Sequence, residues 1–173
     1  MVSLIACLAR NGAIGNGNKL LYHLAADMRR FVALTTNHTI VMGHNTYLSL
    51  PHGALPQRRN IVITHANRSI EGCEVCHSLE EAIQRFGKPE GSTLPASADQ
   101  GEIFIIGGES IYRQAMAYAD KLYLTIVDDI PEEADTFFPP INGEEWEEIS
   151  SEYRQEGRFH FKFVDYQHKQ KHI

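Results

Sequence analysis

The run Glu102-Ile103-Phe104-Ile105-Ile106 has its only polar residue at the start and breaks on Gly107-Gly108. Four consecutive apolar residues do not suit a strand with one face in water. The pattern predicts a strand at the centre of a sheet, covered on both faces. Such strands belong to parallel sheets, whose neighbours are joined by crossovers that are usually helices. The glycine pair leads into an expected helix from about Ser110 to Tyr118, a junction that lets a nucleotide approach the backbone. The six-residue dinucleotide fingerprint is not met, because its third glycine is missing.

The rest of the chain fits that frame. Residues 1–9 form an apolar first strand. Thr39-Ile40-Val41-Met42-Gly43 is a second buried strand, and a short helix from His44 to Leu50 follows directly, a second place where helix-start amides could meet a phosphate. Further strands are expected at Asn60–Thr64, Glu74–Cys76 and Lys121–Val127. Ser78 and Glu81 have the spacing of a capping box ahead of an amphipathic helix ending near Phe86. Glu148–Tyr153 and Arg158–Tyr166 alternate as a hairpin around Glu156-Gly157. The expectation is one α/β domain over residues 1–173, with a central, mostly parallel twisted β-sheet of about eight strands, flanking helices and an antiparallel C-terminal hairpin. Two stretches stand outside regular structure. Asn11–Asn18, with three glycines and three asparagines, reads as a mobile, ligand-facing loop. Gly87–Gly101 reads as a surface-loop insertion.

At 173 residues, with 43% hydrophobic residues and a net charge of −6, the chain suits one soluble domain and does not suit a nucleic-acid surface. The densest basic pairs are Arg29-Arg30 and Arg58-Arg59. The apolar N-terminal run lacks a basic leader and ends at Arg10, so cytoplasm is the expected location. The sequons at Asn37 and Asn67 then read as chance matches. No metal-ligand spacing of the H-E-x-x-H kind and no G-x-S-x-G elbow occurs, so no metal is expected. Cys73-x-x-Cys76-His77 has the spacing of a haem-attachment or redox motif. It reads as a strand, however, where residues three apart point to opposite faces, so the two thiols would not present together. Cys7 reads as a small buried hydrophobe.

One charge stands out. In a helix beginning near Leu24, the residues Leu24, Met28, Phe31 and Leu34 share an apolar stripe, and Asp27 falls inside it. Desolvating a carboxylate is costly unless donors meet it, so Asp27 is paired within the protein, meets a ligand that donates, or faces water at the helix start.

Several stretches, in order, resemble dihydrofolate reductase of the bacterial type. They are the Ser3-Leu-Ile-Ala run, the Ile14-Gly15 loop, Leu24-Ala-Ala-Asp27-Met-Arg-Arg-Phe31, Val41-Met42-Gly43-x-x-Thr46, Leu55-Pro56-x-Arg58-x-Asn60-Ile61-Val62, Ile106-Gly107-Gly108-x-x-x-Tyr112, Leu122-Tyr123-Leu124-Thr125 and Asp135-Thr136-x-Phe138-Pro139. The resemblance covers nearly the whole chain. It implies NADPH-dependent reduction of 7,8-dihydrofolate to 5,6,7,8-tetrahydrofolate, supplying one-carbon metabolism and thymidylate synthesis, by a monomer that antifolate inhibitors also bind.

The same resemblance implies residue roles. Asp27 would receive the amino-pyrimidine edge of the pterin, with Thr125 bridging to it and Tyr22 beside it as the third catalytic position. Ile5, Met28, Phe31, Leu50, Leu55, Ile106 and Tyr112 would line the substrate pocket, and Arg58 would grip the α-carboxylate of the glutamate tail. The cofactor would be held by Gly43, His44, Asn45, Thr46, Gly107, Gly108, Ser110, Ile111 and Tyr112. Cys7, Ile14, Gly15, Asn18 and Leu20 would face its nicotinamide end, and Thr64, His65 and His77 its adenosine end.

Three departures from the family pattern matter. Leu21-Tyr22 replaces Pro-Trp, and Tyr22 is expected to hold an ordered water through its hydroxyl. Ala25 replaces a helix proline, with little expected consequence. His44 replaces the arginine that pairs with the cofactor's 2′-phosphate, so preference for NADPH over NADH is expected to be weaker or more dependent on pH. Two other readings fit parts of the pattern: a reductase of the same fold acting on a ribosylated pyrimidine in riboflavin synthesis, and a non-catalytic nucleotide-binding module. Asp27 and Arg58 favour the folate substrate over the first. The Gly-rich loop together with Asp27 favours catalysis over the second.

Overall fold

The computed structural model describes residues 1–86 and 101–172. Within it the strands are β1 (Val2–Ala9), β2 (Ala13–Asn16), β3 (Lys19–Leu20), β4 (Thr39–Gly43), β5 (Arg59–Ile63), β6 (Cys73–Cys76), β7 (Ile103–Gly107), β8 (Lys121–Val127), β9 (Thr136–Phe137), β10 (Trp146–Glu156) and β11 (Phe159–His168). The helices are α1 (Ala25–Thr35), α2 (His44–Ser49), α3 (Leu79–Phe86) and α4 (Glu109–Ala115), and a 3-10 turn covers Lys169–His172.

Eight strands make one sheet in the order β10-β11-β8-β1-β7-β4-β5-β6. From β8 to β6 every pairing is parallel, while the C-terminal hairpin adds β11 and β10 antiparallel at one edge. The apolar run at 103–106 lies between β1 and β4, as its lack of polar residues requires. Alternation then divides the core. Leu4, Val41, Ile61, Ile103, Ile105 and Leu122 face one side with Leu79 of α3 and Tyr112 and Ala115 of α4. Ile5, Ile40, Met42, Val62 and Phe104 face the other, where Phe31 and Leu34 of α1 pack. Cys76 belongs to the first layer and Cys73 to the second, so the two thiols stand on opposite faces of the sheet and are free. No helix among the described residues is long and apolar enough to cross a membrane.

The structure corrects the sequence reading in several places. The stretch expected to be an irregular loop at Asn11–Asn18 contains β2 and the start of a tight hairpin into β3. A second sheet, β3-β2-β9, forms when the loop around Asp135 folds back onto it. Glycine density hid these strands because the pairing partners Gly15 and Thr136 lie far apart in the chain. The fourth helix stops at Ala115, three residues short of the expected Tyr118. At α3 the Ser78 hydroxyl caps the Glu81 amide at 3.0 Å, but Glu81 reaches the His77 amide, at 2.8 Å, rather than that of Ser78. The insertion expected at 87–101 lies outside the described residues except for Gly101. In β7 the register shifts: Val41 pairs Ile105 and Met42 pairs Gly107, so Ile106 is an extra residue. Bulges of this kind re-aim side chains next to sites.

Candidate active site

Asp27 is the third residue of α1, and two strands bring partners to it. Cys7 of β1 and Thr125 of β8 are register neighbours, so both side chains leave the sheet on the face that α1 covers. Thr125, 2% exposed, donates its hydroxyl to Asp27 Oδ1 at 2.5 Å. The Cys7 thiol lies against the same carboxylate, which corrects the expectation of a plain apolar side chain. Burial pushes the Asp27 carboxyl above the ordinary carboxylate range. The Thr125 hydroxyl, the Arg30 guanidinium and the Cys7 thiol pull it back, and Glu156 adds a smaller upward push. Burial, reinforced by Asp27, drives the Cys7 thiol the same way, so it is not a reactive thiolate. Arg30 is itself held by Asp165 and stacks 4.7 Å from the Phe163 ring centroid.

Beside Asp27, the apolar layer supplies a wall. Ile5 is buried, and Phe31, Leu50, Leu55 and Ile106 are partly buried against the same cluster. Met28, expected in that stripe, is 48% exposed. At the far end of the wall stands Arg58. Its Nε donates to Pro56 O at 2.9 Å and its Nη1 to Thr35 Oγ1 at 3.2 Å, which fixes the guanidinium plane 5.9 Å from the Phe31 ring centroid. The buried Asn60 side chain pins this segment. It accepts from the Leu55 amide at 2.9 Å and donates to the Leu55 and Arg58 carbonyls at 2.9 and 3.0 Å.

Tyr22 does not reach toward Asp27 with its proton. It is 6% exposed, stacks edge-on against Phe159 at 5.4 Å, and donates its hydroxyl to Asp129 Oδ2 at 2.7 Å. Tyr112 likewise turns into the core, donating to Ile5 O at 2.7 Å and binding α4 to β1.

A second group of expected residues gathers where strands end. A Cβ on Gly43 would lie 3.2 Å from Ile111 Cγ1, one on Gly108 3.3 Å from Thr46 Oγ1, and one on Gly107 3.4 Å from Thr46 Oγ1 and from the Tyr112 ring. Glycine at these positions lets the starts of α2 and α4 pack closely against each other, and Gly107 has φ +130°, where other residues are strained. Two helix starts brought together in this way suit a diphosphate, whose oxygens need amide donors at close range. Asn18 donates to Asn45 O at 3.1 Å, tying the β2–β3 turn to α2. Ile14 and Gly15 are buried under that turn, while Leu20 and Ser110 are exposed.

The parallel neighbours β7, β4, β5 and β6 end side by side, so Gly108, His44, Thr64 and His77 stand in a row about 14 Å long, one strand spacing apart. The row runs into an open pocket of about 320 Å³ lined by Asn67, Arg68, Ser69, Val75 and His77. His77 Nδ1 lies 2.9 Å from Thr64 O. His65 is exposed and His44 half-buried. The Arg68 guanidinium has no hydrogen-bond or ion-pair partner among the described residues.

Sequence reasoning missed Asn60, Arg68 and the Cys7 contact. Arg68 could have been found as a lone cation four residues after Thr64. Cys7 could have been found as two residues after Ile5, and so on the same strand face.

The residues that converge here are the ones whose order along the chain resembles a single family, and comparison with known proteins agrees. The dihydrofolate reductase family model matches residues 1–168. The dihydrofolate reductase of Bacillus subtilis (strain 168) is 34% identical over 173 residues, covering 98% of this chain and 95% of that protein. Dihydrofolate reductase type 3 of Salmonella typhimurium is 39% identical over 150 residues, covering 86% and 85%. Among solved structures, dihydrofolate reductase from Enterococcus faecalis complexed with NADP(H) and RAB-propyl superposes with a TM-score of 0.84 at 28% identity, over 98% of this chain and 96% of that one. Matched by the family model over residues 1–168 and by relatives of at least 34% identity over most of its length, the chain belongs to the dihydrofolate reductase family.

Proposed function

We propose that Asp27 orients and helps protonate the substrate in the NADPH-dependent reduction of 7,8-dihydrofolate to 5,6,7,8-tetrahydrofolate, the reaction of this family. The observation that carries the reading is the Asp27 carboxylate itself. It is half-buried, held by Thr125 at 2.5 Å, and raised in proton affinity by its surroundings. A carboxylate can accept two parallel hydrogen bonds from the amino-pyrimidine edge of a pterin, and Thr125 fixes its plane for that purpose. Raised proton affinity keeps a proton available at the site to a higher pH than an exposed aspartate would.

The paired helix starts at Gly43, Gly107 and Gly108, with Thr46, hold the cofactor's diphosphate, and NADPH supplies the hydride when bound. Ile5, Phe31, Leu50, Leu55 and Ile106 exclude water around the pterin and benzoyl groups. Arg58, already aligned by Thr35 and Pro56, takes the substrate's α-carboxylate in a bidentate pair. At the other end, His44, Thr64, His65 and His77 meet the adenosine end of the cofactor, joined by Arg68. Tyr22 supports the segment leading to α1 through Asp129 rather than contacting substrate. The same reading makes the protein a cytoplasmic monomer folded as one domain and open to antifolates in the substrate cleft.

The test is NADPH oxidation followed spectroscopically with dihydrofolate added, in wild type and Asp27→Asn. Substrate-dependent oxidation in wild type, lowered by about a hundredfold or more in the variant, is expected. Absence of substrate-dependent oxidation in wild type refutes the reading.

A further inference from the structure

The start of α1 is capped from the opposite end of the chain. Leu24 occupies the N-cap position and offers no side-chain acceptor. Instead the Ala25 amide donates to Glu156 Oε2 at 2.7 Å and the Ala26 amide to Glu156 Oε1 at 3.2 Å. Glu156 is the last residue of β10, immediately before the turn of the C-terminal hairpin. The two-pronged arrangement requires an N–H at position 25. A proline, which suits the first position of a helix, would have none to give, so Ala25 in place of proline is not a neutral departure.

Asp27 follows directly, in the first turn, where the unpaired amides of the helix start attract acidic side chains. Here the Ala25 and Ala26 amides are taken by Glu156, and the Asp27 carboxylate is bonded by Thr125 and lies against Cys7. We infer that Glu156 is a positioning residue for Asp27: it occupies the helix-start amides that would draw the aspartate back along α1, and it sets a second negative charge beside the site.

The inference rests on the reading of Asp27 as the pterin's partner. The groups that face Asp27 are Cys7 from β1, Thr125 from β8, Arg30 from α1 and Glu156 from β10, and its charge is also felt at Tyr112 of α4. Arg29 is the cation nearest in influence to Glu156. Removing Glu156 acts twice in one direction. The freed amides become donors for an ionised Asp27, and a like charge disappears, so Asp27 holds its proton less strongly.

The experiment is the pH profile of dihydrofolate-dependent NADPH oxidation in wild type, Glu156→Gln, Glu156→Ala and Asp27→Asn, with thermal melts to show that each is folded. Glutamine keeps an acceptor oxygen and drops the charge, whereas alanine empties both amides. The expected result is a midpoint of activity moved to lower pH in Glu156→Gln and further in Glu156→Ala, with KM for dihydrofolate raised severalfold. An unchanged or upward-moved midpoint in Glu156→Gln overturns the inference even if activity falls, because a cap that served only the helix would cost stability without moving the titration. Should Glu156→Ala not fold, Glu156→Gln decides alone. Full activity in Asp27→Asn would instead overturn the reading of Asp27 and the inference with it, whereas an inactive Asp27→Asn with unmoved Glu156 profiles overturns the inference only.

Discussion

Cys7 and Thr125 sit opposite each other across the β1–β8 pair and meet on one carboxylate, that of Asp27. The pairing fixes how the charge is held, and it also makes holding it costly, because burial is the largest influence on that carboxyl. The sign of the consequence for stability follows. Asp27 binds its proton more tightly folded than unfolded, so its contribution is most favourable below the unfolded value, about 3.9, and is lost as pH rises through the higher folded value. Asparagine has no charge to bury and can still accept from Thr125. Asp27→Asn is therefore expected to be more stable than wild type at pH 7 by about 1 kcal/mol, with the difference shrinking toward zero as pH falls below the carboxylate range. Thermal melts across that range check it, and a variant less stable at pH 7 than at pH 3, relative to wild type, contradicts it.

Tyr22 replaces a tryptophan of the family pattern, and its hydroxyl is bonded to Asp129 rather than turned to the substrate side. Tyr22→Phe keeps the ring against Phe159 and leaves Asp129 without that donor. The expected cost is about 1 kcal/mol, or a midpoint lowered by about 2–4 °C for a chain of this size. The value of kcat/KM should stay within about twofold. A tenfold fall in kcat at unchanged stability would show that the hydroxyl orders water in the reaction.

Most of the fold was legible because burial writes itself into apolar runs. Ile103–Ile106 announced a central strand, and alternation in Arg158–Tyr166 announced the edge hairpin. The small sheet was not legible, since β3 and β9 are two residues each and acquire strand geometry only from partners distant in sequence. The site divides in the same way. Asp27 was visible as a charge out of place in a helical stripe. Glu156 was not, because nothing near the hairpin glycine marks it as a cap for amides 131 and 130 residues away. Asn60 was read as the start of a strand and as one residue of the family-like stretch from Leu55 to Val62, with no role of its own, yet its three hydrogen bonds set the turn that carries Leu55 and Arg58.

Arg68 changes what His44 implies for the cofactor. An imidazole loses its charge as pH rises through the neutral range, but a guanidinium does not. With Arg68 in the pocket beside His77, preference for NADPH over NADH is expected to persist at alkaline pH in wild type. Arg68→Ala should weaken NADPH binding about tenfold, the worth of one charge-assisted hydrogen bond, and leave NADH binding unchanged. Equilibrium titrations with both cofactors at mildly acidic and mildly alkaline pH decide this, and equal losses for NADPH and NADH would remove Arg68 from phosphate recognition.

Arg58 is held ready before any ligand arrives. Pro56 O and Thr35 Oγ1 fix two sides of the guanidinium, and Asn60 fixes the backbone beneath it. Little side-chain freedom is left to lose on binding, so the proposed pair with the substrate's α-carboxylate would be strengthened by preorganisation. Arg58→Ala is expected to raise KM for dihydrofolate about tenfold or more while kcat changes little, because the group is remote from the reacting ring. Arg58→Lys should recover little of the loss, since an ammonium cannot reproduce the planar two-point contact. Thr35→Val should show a smaller rise, because it removes one of the two tethers and also the Thr35 bond to Phe31 O at 2.7 Å. The deciding comparison uses a substrate lacking the glutamate tail. Wild type and Arg58→Ala should then have the same KM, and a difference that persists would mean that Arg58 acts by holding the fold of the cleft rather than by gripping the tail.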